Sequence, residues 1–290
     1  MLNSSKTNQT KGTLYVVATP IGNYKDISQR AIDTLKSVDI VLAEDTRRTK
    51  PLLQHYGISS ASVISFHEHN EEKMLNKVLE NLNAGLDVAL VSDAGTPLIS
   101  DPGFGLVAAA HENDIKVVPL PGVCAAVAAL SASGLATDQF FFVGFLPAKV
   151  TQRKKALLEL REQVGTLIIY ESSHRILASL QDCLDVLGDR EAVLARELTK
   201  MFETVKKSSI KGLLSFVEQD SNQQKGEFVV LIEGVGRNSN QPEVYDLDEL
   251  LQIMMSELPL KQAASLAARI SGKKKNFVYQ RALELKDALK

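Results

Sequence analysis

The chain has 290 residues, 44% hydrophobic and 23% charged, which excludes extended disorder and leaves room for two ordinary domains and an appendage. A net charge of -2 gives no global signature of nucleic-acid binding, so any basic surface must be local. Cys124 and Cys183 lack metal-ligand spacing and read as buried thiols of a reducing, cytoplasmic compartment; no metal is expected. Residues 1–11 are polar and read as a disordered tail, and no apolar run reaches membrane-spanning length.

Residues 13–18 (TLYVVA) read as a first strand ending in Thr19-Pro20-Ile21-Gly22-Asn23, and Asp26 or Ser28 can cap the helix over 29–37. A dinucleotide turn would need GxGxxG; one glycine argues against it but still permits a close backbone approach. A second strand at 39–43 runs into Glu44-Asp45-Thr46-Arg47-Arg48. Early acids suit a helix start, whereas Arg47 and Arg48 beside a helix N-terminus suit an approaching anion such as phosphate. A short strand at 63–66 leads to His67 and Glu68, possible site-lining residues, and then to a helix over 71–84.

The stretch 87–103, DVALVSDAGTPLISDPG, organises the first half. Its apolar run Val88-Ala89-Leu90-Val91 is that of a strand buried on both faces, and the loop after it holds Gly95, Pro97, Pro102 and Gly103. Asp101 with Pro102 reads as N-cap and first helical position of a helix over 104–112. Ligands of open α/β sheets bind outside the carboxyl ends of the strands, where this loop falls. A fifth strand at 116–120 precedes Pro121-Gly122 and an alanine-rich helix that must pack closely on something, usually a sheet.

A second α/β unit begins at 139–145 (QFFFVGF), followed by a basic helix start with Lys149, Arg153, Lys154 and Lys155 that reads as a solvated face. Strands at 166–170 and 191–195 end in Glu171-Ser172-Ser173-His174-Arg175 and in Arg196-Glu197-Leu198-Thr199-Lys200, two ionisable clusters on one sheet edge. A strand at 227–233 closes the sheet. From 246 the pattern is helical, with Lys273, Lys274 and Lys275 at a Gly-containing turn where they could meet a nucleic-acid backbone or simply be solvated.

ATPIGN from Ala18, EDTRRT from Glu44, SDAGTPLISDPG from Ser92, YESSHR from Tyr170 and ARELTK from Ala195 occur in that order. Together they resemble the ribosomal RNA small subunit methyltransferase I family of the tetrapyrrole methylase superfamily, from Gly12 to Gly234, and the tail resembles that family's helix-turn-helix-like module. The resemblance implies two α/β/α domains (12–122 and 139–236, joined by a connecting helix and linker at 123–138), a cofactor cleft between them and a small helical module at 246–290. It also implies a homodimer that binds S-adenosylmethionine and 2'-O-methylates a cytidine ribose in the decoding region of 16S rRNA, with rRNA or the small ribosomal subunit as partner.

Carried onto this sequence, the cofactor-binding set is Ser92, Asp93, Ala94, Gly95, Pro97, Asp101, Gly103, Pro121, Gly122, Phe145 and Pro147. Glu171 and His174, then Asp45, are the candidate bases for the ribose hydroxyl. Arg47, Arg48, Arg175, Arg196, Lys200 and Lys273 to Lys275 are the candidate phosphate contacts. Two rivals are a methyltransferase of small tetrapyrroles and a catalytically silent RNA-binding protein that senses S-adenosylmethionine.

Overall fold

A computed structural model describes residues 10–59, 61–235, 247–271 and 273–288. Most of the expected tail (1–9), the end of the second α/β unit at 236, the helical start at 246 and Gly272 of the expected turn lie outside the described residues. The chain divides into two compact units, 1–235 and 236–290.

The first unit opens with β1 (Thr13–Val17), α1 (Gln29–Ser37), β2 (Ile40–Ala43), α2 (Thr46–His55), β3 (Ser62–Ser65), α3 (Glu71–Asn83), β4 (Val88–Val91), α4 (Phe104–Glu112) and β5 (Lys116–Leu120). The strands form one parallel sheet in the order β3-β2-β4-β1-β5. Every residue of β2 and β4 is buried, because helices cover both faces. Val78, Leu82, Leu106 and Ala110 of α3 and α4 pack on one side, and Ala31, Leu35 and Leu53 of α1 and α2 on the other. Ser28 is the cap of α1, its Oγ accepting the Ala31 N–H at 3.2 Å. With β4 in the middle, the loop after it opens at the centre of the carboxyl edge.

α5 (Ala125–Ser133) then leads to β6 (Phe140–Phe145), α6 (Val150–Leu160), β7 (Thr166–Ser172), α7 (Ile176–Leu187), β8 (Glu191–Arg196), β9 (Thr204–Ser209), α8 (Ile210–Gln219) and β10 (Glu227–Ile232). These strands form a mixed sheet in the order β6-β7-β10-β8-β9. β10 is antiparallel to both β7 and β8, so those two run the same way and their following loops emerge at one edge. α5 does more than connect: Ala126, Ala129 and Leu130 pack on Ile168, Val193, Ala195 and Val229 of this sheet. α6, α7 and α8 cover the opposite face, so both sheets are the middle layer of an α/β/α sandwich.

One strand has no counterpart among the elements expected from the sequence, and one expectation is corrected. The segment TVKKSS is strand β9, paired antiparallel with β8 at the sheet edge; an edge strand needs no apolar run, and the exposed Lys206 and Lys207 discourage further pairing. Arg153 is not on a solvated face. It is buried with its Nη2 2.6 Å from Asp182, while Lys154 pairs with Asp185 at 2.8 Å.

The second unit holds α9 (Leu247–Glu257), α10 (Leu260–Ser271) and α11 (Lys275–Ala288) around Leu250, Leu251, Ala264, Ala267, Val278 and Ala282. No described helix is long and apolar enough to cross a membrane.

Candidate active site

One wall is built from the carboxyl edge of the parallel sheet. Thr19, just past β1, exchanges backbone hydrogen bonds with Gly95 at 2.8 and 3.0 Å, which lays the loop after β4 across the end of β1. Gly95 takes φ +85°, and a Cβ there would press on Ile21 at 3.4 Å. Beyond it Leu98 and Ser100 hold left-handed backbone, φ +71° and +70°, a conformation that persists only when the surroundings enforce it. Ser100 is held against β6, its Oγ 3.1 Å from where a Gly144 Cβ would stand. The expected cap is wrong: α4 begins at Phe104 with Gly103 as N-cap, so the Asp101 carboxylate is not engaged in capping.

β2 and β4 add the acids of this wall. Glu44 Oε2 accepts the Asp93 N–H at 3.3 Å, Asp93 Oδ1 accepts the Asp45 N–H at 3.0 Å, and Arg48 Nε stands 3.4 Å from Asp93 Oδ2. Half-buried Asp101 lies beside them; its own burial, then the Glu44 charge, push its carboxyl up to about 6.

The second wall comes from the mixed sheet. The Tyr170 hydroxyl accepts the Ala126 N–H at 3.0 Å, and its ring meets Phe142 and Phe145 edge-on at 5.1 and 5.7 Å. Burial pushes its phenol well above the usual range, so it stays neutral. Phe145 remains 57% exposed at the rim. Lys200 reaches Glu197 at 2.9 Å and Glu227 at 3.0 Å, and its stem runs so close to Gly22 that a Cβ there would lie 2.4 Å from Lys200 Cγ. The lone glycine of the first loop therefore admits this side chain.

Between the walls lies a cavity of about 510 Å³, within the range of small-molecule sites. Three acids on one side, aromatic faces on the other and the backbone of Ala94, Gly95 and Thr96 between them suit a ligand with a cationic centre and a flat ring.

A profile of the Tetrapyrrole (Corrin/Porphyrin) Methylases matches residues 13–214, and one described as RsmI C-terminal HTH domain matches 242–286. The chain is 51% identical over 280 residues to a ribosomal RNA small subunit methyltransferase I of Escherichia coli O157:H7, covering 96% of both chains. It is 51% identical over 275 residues to the protein of that name from Pseudomonas aeruginosa, covering 94% of this chain and 97% of the other. The chain belongs to the ribosomal RNA small subunit methyltransferase I family. Among solved structures, diphthine synthase (TM-score 0.59, 15% identity, 77% of this chain and 90% of that one) has the same fold. So does cobalt precorrin-4 methyltransferase (TM-score 0.54, 17% identity, 76% and 94%).

Of the residues singled out in the sequence, Asp93, Ala94, Gly95, Asp101, Phe145, Glu171, Arg48 and Lys200 line the cavity of this family member. Ser92, Pro97, Gly103, Pro121, Gly122 and Pro147 do not, nor do His67 and Glu68. Gly122 serves packing, since a Cβ there would lie 2.7 Å from that of Ala18, and Ser92 is buried with its hydroxyl 3.4 Å from the Ala94 and Gly95 carbonyls.

The candidate bases fare poorly. Glu171 has a fully buried side chain whose Oε1 accepts from the Ser172 N–H and Arg175 Nε, each at 2.7 Å, while Oε2 accepts from the Ser179 hydroxyl. His174 is exposed in a turn outside the cavity. Asp45 is the N-cap of α2, and the side-chain hydrogen bond from Arg47 holds its carboxyl down to about 2.

Two assigned phosphate contacts are likewise engaged elsewhere. Arg196 is 7% exposed, with Nη1 3.0 Å from the Asn222 and Lys225 carbonyls and Nη2 3.1 Å from that of Phe202; Arg175 serves Glu171. Arg47, Lys274 and Lys275 are exposed, and the Lys273 ammonium stands 5.7 Å from the Phe277 ring. Sequence reasoning gave no role to Tyr170, Ile99 or Cys124, all of which line the cavity. A tyrosine ending an otherwise apolar strand was the one available signal, because its hydroxyl needs a partner.

Proposed function

We propose that this protein transfers a methyl group from S-adenosylmethionine to the 2'-oxygen of a cytidine ribose in the decoding region of 16S rRNA. The observation that carries the reading is the cavity with acids on one wall and aromatics on the other, in a chain half identical along its length to proteins named for methylating small-subunit rRNA. S-adenosylmethionine supplies, when bound, a methyl group made electrophilic by its sulfonium.

Glu44 and Asp93 hold negative charge against the ligand's cationic groups, and the closely approaching backbone of Ala94 and Gly95 reads its polar edge. Phe145 and Tyr170 give an apolar face to its ring. With the methyl group already activated, these residues contribute mainly by in-line placement of the acceptor oxygen, an effect able to supply several kcal/mol, roughly 7 at least in well-oriented cases.

Arg47 and Arg48, exposed on the first turn of α2 beside the cavity, take the RNA phosphates, and Lys273, Lys274 and Lys275 add contacts from the helical unit. A homodimer in the cytoplasm belongs to the same proposal; Phe140 and Phe141, about half exposed on edge strand β6, are side chains that a second copy could cover.

The test is transfer of labelled methyl from S-adenosylmethionine to small ribosomal subunits lacking the modification, followed by nucleoside mass mapping. Label as 2'-O-methylcytidine at one 16S position is expected. Label on a base, or none on RNA while tetrapyrrole precursors are methylated, would overturn the reading. Binding of both ligands with no product would favour the silent RNA-binding alternative.

A further inference from the structure

We infer that the carboxylate of Asp101 is the proton acceptor for the ribose hydroxyl during methyl transfer. The inference rests on the reaction proposed above and assigns the role left open by Glu171, His174 and Asp45. Five acids line the cavity: Glu44, Asp93, Asp101, Glu171 and Glu227. Four have a backbone N–H or a cation on a carboxylate oxygen: Glu44 the Asp93 amide, Asp93 the Asp45 amide and Arg48, Glu171 Arg175, and Glu227 Lys200 at 3.0 Å. Among the described residues, only Asp101 has neither, and its side-chain partner is the Ser92 hydroxyl.

Its placement suits the role. The loop that carries it is fixed by two left-handed non-glycine residues and by the contact of Ser100 with β6, so Asp101 stands at the seam between the two walls, facing Tyr170. A general base must be held within hydrogen-bond reach of the hydroxyl without already being paired to a cation. The titratable groups around it are Glu44 and Asp93 on its own wall with Arg48 beyond them, Tyr170 and Cys124 opposite, and the Lys200–Glu227 pair across the cavity. Its own burial, and after that the charges of Glu44 and Asp93, make it more basic than an ordinary aspartate; its carboxyl at about 6 is still ionised at neutral pH.

In the step itself the ribose O–H bond breaks as its oxygen forms a bond to the methyl carbon. The proton passes to an Asp101 oxygen, and the carbon–sulfur bond breaks with its electron pair staying on sulfur. The products are a 2'-O-methyl ether and neutral S-adenosylhomocysteine, and Asp101 returns its proton to water through the open mouth of the cavity.

The test compares full-length wild type with Asp101→Asn and Asp101→Glu. In Asp101→Asn, calorimetric affinity for S-adenosylmethionine stays within about threefold, while kcat at saturating RNA and cofactor falls by about a hundredfold or more. The wild-type kcat profile has an acidic limb near pH 6 that disappears in Asp101→Asn, whereas Asp101→Glu restores part of kcat together with that limb. Carboxyl carbon NMR of wild type locates the same titration without any turnover. Cofactor affinity lost with kcat kept at saturation would make Asp101 a ligand tether and overturn the inference, as would ribose methylation by Asp101→Asn at the wild-type rate. Wild type that methylates no ribose would sink the reaction itself, a result told apart by its independence of residue 101.

Discussion

Two clusters of ionisable residues look alike in the sequence and differ in the structure. The one after β2 and β4 (Glu44, Asp45, Arg47, Arg48, Asp93 and Asp101) leaves Glu44, Asp93 and Asp101 facing a cavity, with Asp45 capping α2 and Arg47 87% exposed. In the one after β7 and β8 (Glu171, Arg175, Arg196, Glu197 and Lys200) the buried Arg196 turns to backbone carbonyls, and Glu171 and Lys200, although they reach the same cavity, are held by Arg175 and by Glu197. A charge at the end of a buried strand thus signals either a site or a brace for the loops around one. What decides is whether a partner of opposite sign or an unpaired carbonyl lies within reach.

That contrast can be broken at the second cluster with the largest effect. Arg196→Met removes the donor shared by three loop carbonyls and is expected to lower unfolding stability by about 3 kcal/mol in urea titrations. If Arg196 served RNA instead, stability would hold and RNA affinity would fall. Glu171→Gln leaves the part-buried Arg175 without its anion and is expected to cost about 2 kcal/mol, with cofactor affinity within threefold of wild type. A loss of turnover at full stability would return the base role to Glu171.

The first cluster predicts a smaller and pH-dependent change. Asp101 has a raised folded pKa, about 6 against 3.8, so the stability linked to its protonated form is present below pH 3.8 and is lost as pH rises through 6. Asp101→Asn is therefore expected to gain about 1 kcal/mol at pH 8, discounted because the group is partly exposed, and nothing at pH 3.5. Thermal melts at both values check the sign. Smallest for stability is Arg47→Ala with Arg48→Ala, which should leave folding unchanged and reduce the salt dependence of RNA binding by about one unit of slope per arginine.

Most of the fold is legible in the sequence, because parallel strands covered on both faces announce themselves as short apolar runs: the strand at 88–91 falls where it was expected, and so does the helix at 104–112 that follows its loop. β9 is not legible, since an exposed edge strand carries no such run. The cavity is legible in the loop around Asp93 and Gly95, where glycine and proline leave few alternatives. It is not legible at Gly122, Arg196 or Glu171, whose roles depend on partners that are distant along the chain or lie in the following helix, such as Ala18, Asn222 and Ser179. Spacing reports which residues end a strand but not which of them find a partner.

The claim that the acidic wall receives a cationic methyl donor is tested most directly by calorimetric titration of S-adenosylmethionine into wild type and Asp93→Asn. Saturable binding of one molecule per chain is expected in wild type, weakened roughly tenfold or more in Asp93→Asn, about 1.4 kcal/mol. Absence of binding in wild type, or equal affinity in the two proteins, would contradict the account.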